Sequence, residues 1–484
     1  MIEIQNYING QLSEPSDKKY LNVFNPSNGK IFSKCPNSTK DDLDLAISAS
    51  NDSFSSWASL EQDERSSYLF KIADLIDRDL DNFAKAESTD NGKPYSLSKS
   101  LDIPRSIKNL VFFANLANES EEESYHQDNI ISKVHKQPLG VIGTISPWNL
   151  PLYLFTWKIA PALVTGNCVI AKPSELTPYT SFLFSKACIE AKLPPGVLNI
   201  LHGEGTGIGR EIVKHNKIKA ISFTGGTKTG KEIAAEASRS LKKVNLEMGG
   251  KNPVIIFNDC NYETMMESLV KSSFLNQGQI CLAGSRIYVE DGIYDKFKSD
   301  FIDKVENLII GDPFDPKTNQ GAIVSKQHLD KISQYVDYAI EDGGDIITGG
   351  EIPILEQENA SGWYYRPTVI EGLSQNSRLN QNEIFGPVVT LSKFSNQQEA
   401  IEMANNTTYG LASIIWTEDI NRAHKLAEVL ESGLVWVNCW LERDLRTPFG
   451  GIKNSGFGKE GGKYALDFFT EPKNVCTKYY DKKK

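Results

Sequence analysis

Cysteine and histidine are the side chains of this sequence that could perform nucleophilic or metal chemistry, and their spacing limits what they can do. The cysteines form no C-x-x-C pair and are odd in number, which disfavours a disulfide framework or a zinc ribbon. The histidines form no H-x-x-x-H pair, so we expect no metal site. This pattern favours a reduced, cytoplasmic protein in which one cysteine is reactive and the others pack. The cysteines are Cys35, Cys168, Cys188, Cys260, Cys281, Cys439 and Cys476.

Two glycine-rich segments approach the motifs of nucleotide-binding loops without matching them. GEGTGIG (203–209) does not fit G-x-G-x-x-G, because neither register places glycine at the sixth position. GGTKTGK (225–231) has the spacing of a P-loop, but Glu232 stands where serine or threonine must ligate magnesium, which argues against phosphoryl transfer. Both segments lie between a predicted strand and a predicted helix. We expect Gly225 and Gly226 to contact a cofactor and the 203–209 segment to form a plain turn.

The length and composition are those of a globular protein. The 484 residues suggest about three domains, or two large ones with an appendage. The formal net charge of −10 argues against binding to nucleic acid, which requires a basic face. The N-terminus lacks a basic segment followed by an apolar stretch, so we expect no signal peptide. The most apolar window (150–171) contains two prolines and Lys158, so we expect no membrane span and no membrane partner.

Hydrophobic periodicity predicts an α/β fold. Residues 41–115 follow a helical pattern, and alternating strands and helices follow from residue 140 onward. Such alternation is typical of βαβ units and parallel sheets, which bind ligands at the carboxyl ends of strands beside helix N-termini. We predict strands at 140–146, 168–172, 197–201, 220–224, 253–257, 285–289, 345–349, 388–394, 412–416 and 433–438. The acidic stretch 114–129 is predicted to form a loop or an edge excursion. Residues 474–484 favour a β-strand and end in basic residues.

Four segments read together carry a family resemblance: ISPWNLP (145–151), VNLEMGGKNP (244–253), NQGQICLAGSR (276–286) and NEIFGPVV (382–389). In this order and spacing they resemble the NAD(P)-dependent aldehyde dehydrogenase superfamily. The resemblance covers almost the whole chain. It implies a Rossmann-type doubly wound cofactor domain, an α/β catalytic domain and a small β oligomerisation element. The expected limits are 1–116 with 139–247, then 248–447, and 117–138 with 466–484.

The resemblance assigns three catalytic roles. Cys281 would be the nucleophile, because a thiolate adds to an aldehyde and later leaves from the thioester. Glu247 would be the general base for hydrolysis of that thioester. The Asn149 amide, with the backbone N–H of Cys281, would stabilise the oxyanion. Without these motifs, the simpler interpretations would be that Cys281 is a buried packing residue, that Glu247 pairs with Lys251, and that Asn149 satisfies a turn.

The same resemblance implies a bound NAD. Lys172 and Glu175 match the pair around the adenosine ribose, where a carboxylate accepts from the hydroxyls and repels a 2′-phosphate, so we expect NAD rather than NADP. Glu383 and Phe385 match the pair that holds the nicotinamide ribose and ring. Trp148 is expected to pack against the cofactor, unless it is simply a core residue. The remaining expected cofactor contacts are Ser146, Gly225 and Gly226.

Two arginines suggest the kind of aldehyde. The segments 101–114 and 438–451 resemble the branch that oxidises 2-aminomuconate 6-semialdehyde and 2-hydroxymuconate semialdehyde, in which Arg105 and Arg443 would bind the substrate carboxylate bidentately. For an arbitrary arginine, a solvated Arg105 and an Arg443 paired with Asp444 or Glu442 would be the simpler interpretation. Asn149 would also contact the 2-amino or 2-hydroxy group. The residues expected to line the aldehyde tunnel are Leu150 and Trp157.

Alternatives remain open at this point. The sequence does not decide between the amino and hydroxy substrates, or between the tryptophan (kynurenine) and aromatic catabolic pathways that contain them. A betaine- or aliphatic-aldehyde dehydrogenase is the alternative within the family, and a non-catalytic binding protein of the same fold is the alternative outside it. The β-prone C-terminal strand is expected to pair with a neighbouring subunit, giving a homodimer or a homotetramer.

Overall fold

The computed structural model describes residues 1–119 and 123–480, which form sixteen α-helices and twenty-three strands. The helices are α1 (Lys40–Ala58), α2 (Gln62–Arg78), α3 (Leu80–Asn91), α4 (Tyr95–Leu97), α5 (Ile103–Asn118), α6 (Pro151–Val164), α7 (Tyr179–Glu190), α8 (Arg210–Lys214), α9 (Thr227–Ser238), α10 (Tyr262–Phe274), α11 (Tyr294–Glu306), α12 (Lys326–Glu341), α13 (Arg378–Gln381), α14 (Gln397–Asn405), α15 (Ile420–Val429) and α16 (Gly462–Phe468). The strands are β1 (Ile2–Glu3), β2 (Asn6–Ile8), β3 (Gln11–Ser13), β4 (Tyr20–Asn25), β5 (Lys30–Pro36), β6 (Glu123–Gln127), β7 (Ile130–Pro138), β8 (Val141–Ile145), β9 (Cys168–Lys172), β10 (Leu198–Ile200), β11 (Ile218–Thr224), β12 (Lys243–Glu247), β13 (Asn252–Ile256), β14 (Gly284–Glu290), β15 (Asp345–Thr348), β16 (Thr368–Glu371), β17 (Val388–Phe394), β18 (Tyr409–Gly410), β19 (Ala412–Trp416), β20 (Leu434–Val437), β21 (Ile452–Lys453), β22 (Gly456–Phe457) and β23 (Thr470–Lys478).

The first sheet is doubly wound. Its eight strands run in the order β22-β12-β11-β8-β9-β10-β2-β3, and the five central strands pair in parallel. The chain leaves β8 toward β9 on one side and returns to β11 on the other, so the switch point lies between β8 and β11. Ligands of such sheets bind beside the carboxyl ends of the strands at this point. The chain segments that leave β8 and β11 there are the predicted site segments at 145–151 and 223–230.

The strands of the second sheet face the site with their amino ends, whereas those of the first sheet face it with their carboxyl ends. Its order is β15-β16-β17-β14-β13-β19-β20, with parallel pairing except between β15 and β16. The segments 276–283 and 382–387 lead into the amino ends of β14 and β17. The carboxyl ends of the first sheet and the amino ends of the second therefore bring the four motif segments together.

Helix α6 connects the site to the core of the first sheet. Pro151 occupies its first turn, where the missing N–H is not needed, and nearly every side chain of the helix is buried. Burial of each large apolar side chain stabilises the fold by about 1.5–3 kcal/mol. In a helix that is buried on all sides, a polar side chain is costly unless a hydrogen-bonding or ionic partner lies beside it. Its polar residues Tyr153 and Lys158 are therefore informative about the site.

A separate three-stranded antiparallel sheet has the order β23-β7-β6. Every residue of β6, and all but the first of β23, is exposed. The predicted loop at 114–129 is therefore wrong in part, since α5 continues to Asn118 and β6 begins at Glu123. Residues 120–122 and 481–484 of the expected oligomerisation element lie outside the described part of the chain.

The predicted α/β class is confirmed, because the parallel sheets and covering helices are present. All ten predicted strands overlap strands of the structure. The pattern missed the N-terminal strands β1–β5, and it also missed β12, β16, β18, β21 and β22. Strand β22 completes the first sheet from residues 456–457, which lie outside all the expected domain limits. Those limits stay a prediction.

Candidate active site

The segment that precedes Cys281 has an unusual backbone. Asn276, Gln277 and Gly278 have φ values of 53°, 57° and 66°, in the left-handed region that non-glycine residues avoid. A Cβ at Gly278 would lie 2.2 Å from the carbonyl oxygen of Gly386, so only glycine fits there. The Gln277 amide donates to the Ala322 carbonyl at 2.8 Å, which helps to hold this costly conformation. The loop thus presents Cys281 at a fixed position.

Cys281 is half-buried at the wall of a cavity of about 240 Å³. Burial raises the pKa of its thiol to about 12, and the nearby Glu383 and Glu247 carboxylates add to this effect. The resting group is therefore a thiol that must lose its proton as it attacks. The cavity is lined by Pro147, Trp148, Asn149, Thr224, Gly225, Gly226, Met248, Gly249, Cys281, His328, Lys331, Glu383 and Phe385. Six other residues predicted from the sequence thus line the same cavity as Cys281.

Asn149 lies at this cavity with its side chain almost completely buried. Its Nδ2 donates to the carbonyl oxygen of Gln279 at 3.0 Å, two residues before Cys281. An amide nitrogen has two hydrogens, so one remains to face the cavity. This arrangement suits an oxyanion donor, whereas the alternative of an asparagine that satisfies its own turn is not supported by any side-chain bond within 145–151.

Glu247 ends β12 and is buried, yet neither carboxylate oxygen has a hydrogen-bond partner within the described residues. Burial raises its pKa well above the ordinary value, Glu460 raises it further, and Lys158 opposes both. A Cβ at Gly450 would lie 2.4 Å from its Oε1, so glycine leaves room for the carboxylate. The predicted alternative, a pair with Lys251, is not formed, because the Nζ of that lysine is also unpartnered.

A buried ion pair behind Glu247 was not predicted. Lys158 donates from α6 to Glu460 at 2.8 Å and to Ser222 at 3.2 Å. The two charged residues are 302 positions apart, so no local pattern could have joined them. The only sequence signal was a lysine in an otherwise apolar helix. This pair places a cation and an anion within electrostatic reach of Glu247.

The opposite wall of the 240 Å³ cavity is built around Glu383. Its Oε1 accepts from the N–H of Gly250 at 2.9 Å, and a Cβ at Gly249 would lie 2.1 Å from its Oε2. Lys331, also missed from the sequence, donates to the backbone carbonyl of Glu383 at 3.2 Å. The glycine pair in the LEMGG segment therefore lets this carboxylate approach the backbone closely.

Trp148, His328 and Phe385 form an aromatic corner of the same cavity. The ring centroid of Trp148 lies 5.1 Å from that of His328 and 5.2 Å from that of Phe385. Phe385 has φ of 64°, and its carbonyl accepts from His328 Nε2 at 2.7 Å. Burial lowers the pKa of His328 to about 4, so the ring is neutral with its proton on Nε2. Trp148 is thus exposed to the cavity rather than a plain core residue.

A second cavity, of about 750 Å³, is lined by another predicted cofactor residue, Glu175. Lys172 is buried and donates to Glu175 at 2.8 Å, and this cation lowers the carboxyl pKa despite the opposing effect of burial. Gly205 and Gly209 line the same cavity within a π-helical turn. The prediction of a plain turn at 203–209 is therefore wrong, because the segment winds into a helical turn that faces the cavity.

The two cavities suit an extended dinucleotide. The N-terminus of α9, capped by Gly226, adjoins the smaller cavity and offers free N–H groups to a phosphate. Side chains of Ile145 and Phe223 give the larger cavity an apolar surface for a base, beside the Glu175 carboxylate for a ribose. Ser146 follows β8, and its buried Oγ has no partner in the described structure. These donors and acceptors fit NAD.

The two arginines converge on Tyr153. Arg443 donates from Nη1 to the Tyr153 hydroxyl at 3.3 Å, and the Arg105 guanidinium lies 5.6 Å from the centre of the same ring. Arg443 also stacks against Trp157 and Phe449, at 4.2 and 4.0 Å. Cation–π contacts of this kind hold a guanidinium in place without using its N–H groups. Tyr153 was not predicted from the sequence.

Several arginine N–H groups remain available. Within residues 1–119 and 123–480, Arg105 Nη1 and Arg443 Nε and Nη2 are buried without a hydrogen-bond partner. The alternative pairing of Arg443 with Asp444 is wrong, because Asp444 instead accepts from Arg446 at 2.5 to 3.1 Å. Orphaned cationic donors are costly unless a ligand satisfies them. Leu150 is buried beside Asn149, and Trp157 is buried against Arg443.

The other cysteines do not share these surroundings. Cys35, Cys168, Cys188 and Cys260 are buried, and Cys476 is exposed on β23. In the described part of the chain, no group of three or more His, Cys, Asp or Glu residues could hold a metal ion. No described helix is both long and apolar enough to cross a membrane.

Comparisons with known proteins agree with this geometry. Residues 13–475 match the profile of the aldehyde dehydrogenase family. The chain is 43% identical to 2-aminomuconic semialdehyde dehydrogenase of Homo sapiens, over 99% of each protein. It is 41% identical to 2-hydroxymuconic semialdehyde dehydrogenase of Pseudomonas sp. (strain CF600), over 99% of this chain and all of that one. Betaine aldehyde dehydrogenase of Staphylococcus aureus, solved with NAD+, is 36% identical with a TM-score of 0.95, covering 98% and 94% of the two chains.

The chain therefore belongs to the aldehyde dehydrogenase family. The two semialdehyde dehydrogenases named above are similar to it over at least 99% of both chains.

Proposed function

We propose that this protein uses NAD to oxidise a semialdehyde that carries a carboxylate, giving the dicarboxylic acid. The observation that carries the substrate assignment is the convergence of Arg105 and Arg443 on Tyr153, where three buried guanidinium nitrogens have no partner among residues 1–119 and 123–480. The best candidates are 2-aminomuconate 6-semialdehyde and 2-hydroxymuconate semialdehyde, the compounds in the names of its relatives. Both present an aldehyde and a carboxylate, so the arginines suit either.

The reaction uses three side chains in sequence. Cys281 releases its thiol proton to solvent as its sulfur adds to the aldehyde carbon, and the Asn149 amide donates to the oxygen that becomes negative. Bound NAD supplies the acceptor for the hydride that this adduct loses. Glu247 then takes a proton from a water molecule that attacks the resulting thioester, which releases the acid and regenerates the thiol. The raised pKa of Glu247 makes it a stronger base than an exposed glutamate.

The positive charge of the arginine pair argues against betaine aldehyde as the substrate. That compound carries a quaternary ammonium, which two guanidinium groups would repel. Similarity to a betaine aldehyde dehydrogenase therefore supports the fold and the cofactor more than the substrate. A non-catalytic role is disfavoured because Cys281 and Asn149 line one cavity, and the buried Glu247 carboxylate lies within electrostatic reach of Cys281.

NAD is the proposed cofactor rather than NADP, because the Glu175 carboxylate faces the larger cavity and would repel a 2′-phosphate. No metal is proposed. We place the enzyme in the cytoplasm, as its free cysteines favour a reducing compartment. The exposed β23-β7-β6 sheet has free edges, so we propose a homodimer or homotetramer in which a neighbouring chain pairs with them. Its place would be tryptophan (kynurenine) catabolism or aromatic degradation.

The experiment that tests the proposal compares NADH formation with 2-hydroxymuconate semialdehyde and with hexanal, which has no carboxylate. We expect kcat/KM to be at least about 100-fold higher for the semialdehyde, since a bidentate charged pair contributes about 3 kcal/mol. Equal values for the two aldehydes would contradict the substrate assignment while leaving the dehydrogenase activity intact. No NADH with any aldehyde would contradict the enzymatic assignment itself.

A further inference from the structure

We propose that Lys93 is a positioning residue that holds the Asn149 peptide so that the Asn149 side chain meets the oxyanion. The inference rests on the proposed role of Asn149. Lys93 is completely buried between α3 and α4, and none of the sequence motifs includes it.

The ammonium of Lys93 is fully hydrogen-bonded. Its Nζ donates to Asp102 Oδ2 at 2.5 Å, to the Asn149 carbonyl oxygen at 3.0 Å and to Glu87 Oε1 at 3.4 Å. A lysine ammonium has three hydrogens, so each acceptor takes one. Burial alone would lower the pKa of Lys93, but Asp102 and Glu87 together raise it, so the group stays charged. A permanent cation therefore contacts the backbone of the proposed oxyanion residue.

This cluster joins the elements that carry the chemistry. Asp102 immediately precedes α5, the helix of Arg105. Glu87 uses its other oxygen to accept from the N–H of Leu152, in the first turn of α6. Lys93 is thus linked to the start of α5 directly through Asp102, and to the start of α6 indirectly through Glu87. Helix α5 carries Arg105, and α6 follows Asn149.

The geometry of oxyanion binding explains why the Asn149 peptide must be held in a fixed position. A donor must lie within about 0.5 Å of its productive position to retain its effect. The Asn149 carbonyl also accepts from Asn276 Nδ2 at 3.0 Å, on the loop that leads to Cys281. Lys93 and Asn276 therefore hold the Asn149 peptide from two sides. Without the ammonium, the Asn149 carbonyl would keep Asn276 and a long contact of 3.5 Å from Asn91 Nδ2, so it could shift with the loop that leads to Cys281.

Two variants separate positioning from stability. Asp102→Asn removes the ion pair but leaves the ammonium bonded to Asn149. Lys93→Met with Asp102→Asn removes the ammonium as well. Residue 102 then carries no charge that needs a partner, while Glu87 loses Lys93 but still accepts from the N–H of Leu152. Lys99→Met, an exposed lysine from the adjoining turn, is the matched control. For each protein, kcat and KM are measured with NAD and 2-hydroxymuconate semialdehyde, or with hexanal if the wild type does not oxidise the semialdehyde. Thermal unfolding of each protein is also recorded.

We expect Asp102→Asn to lower the midpoint of thermal unfolding while kcat stays within about three-fold of wild type, as the Asn149 contact persists. The double variant should lose at least about ten-fold in kcat with KM for NAD little changed, a part of the 10²–10³-fold effect of a whole oxyanion donor. The control should match the wild type. If Asp102→Asn alone lowers kcat as much as the double variant, the lysine acts only through folding and the inference is overturned.

Combination with Asn149→Ala distinguishes the two levels of the proposal. If Lys93 acts through Asn149, the addition of Lys93→Met and Asp102→Asn to the Asn149→Ala protein should lower kcat by less than about a further two-fold. The effects of coupled residues are not additive. A full additional ten-fold loss would overturn the positioning role while leaving the Asn149 role standing. If Asn149→Ala itself keeps wild-type kcat, the proposed role of Asn149 fails and the inference fails with it.

Discussion

Arg443 and Tyr153, which are 290 positions apart in the chain, meet at 3.3 Å between Nη1 and the phenolic oxygen. The contact joins the loop after β20 to the first turn of α6, three residues beyond Leu150. Because a tyrosine hydroxyl takes only one of the five guanidinium hydrogens, the others remain for a ligand. The arginine is thereby oriented without being neutralised.

Removal of this arginine should therefore affect charged substrates selectively. We expect Arg443→Met to lower kcat/KM for 2-hydroxymuconate semialdehyde by about thirty-fold, since one hydrogen-bonded charge contributes about 2 kcal/mol. The value for hexanal should change by less than about three-fold. Arg446→Met is the control, because Arg446 is exposed and pairs with Asp444. Equal losses on both aldehydes, measured by steady-state NADH formation, would show that Arg443 supports the fold rather than the carboxylate.

The second prediction concerns the nucleophile. Cys281→Ala should lower turnover by at least about a thousand-fold, because the proposed acyl adduct forms on the sulfur of Cys281. Binding of NAD, followed by quenching of tryptophan fluorescence, should persist, as the cofactor contacts lie on other residues. Cys439→Ser is the matched control, since that cysteine is also half-buried in the catalytic half of the chain. Retained turnover in Cys281→Ala would contradict the thioester route.

The catalytic motifs are predictable from sequence because each is contiguous. PWN, LEMGG, GQIC and EIFGP each occupy one strand-to-loop junction, so residue type and spacing suffice. Tyr153, Lys158, Glu460 and Lys93 are different, because their significance arises only when distant segments pack. The N-terminal strands were missed for another reason: β1–β3 have two or three residues each, too short for an alternating pattern to be visible.

The π-helical turn at 205–209 shows the same limit. Its glycines were correctly recognised as a departure from the dinucleotide motif, and a simple turn was the expected alternative. The structure instead winds the segment against the cavity that contains Glu175. The spacing of the dinucleotide motif corresponds to one backbone geometry beside a ligand. A π-helical turn is a different geometry, and it brings the backbone to the cavity although the motif is absent.

Exchange of Glu175 should change the preference between cofactors. We expect Glu175→Gln to raise the ratio of kcat/KM for NADP over NAD by about ten-fold, because an uncharged amide no longer repels a 2′-phosphate. Glu232→Gln is a suitable control, as Glu232 lines the same cavity but is exposed. The two ratios would be measured with one aldehyde at fixed concentration. An unchanged ratio in Glu175→Gln would place the discriminating charge elsewhere.

The pKa of Glu247 leads to linked predictions for activity and stability. Its folded-state pKa is raised, so the base form and the rate of thioester hydrolysis should increase as the pH rises toward that pKa. Glu247→Gln should lack this rise and accumulate the acyl-enzyme, which rapid-quench mass spectrometry would detect. The thiol of Cys281 ionises in both proteins, so a pH-dependent rise common to both belongs to the cysteine.

The effect of Glu247 on stability has the opposite sign to that of a paired carboxylate. In the unfolded chain a glutamate ionises near pH 4.3, whereas the folded protein holds Glu247 protonated to higher pH. Stability from this group is therefore complete below about pH 4 and declines as the pH rises through the interval between the two values. Glu247→Gln should unfold at a higher denaturant concentration than wild type at pH 8, and the difference should vanish at pH 4. A wild type that is the more stable at pH 8 would mean that the ionised carboxylate has a partner in the folded protein.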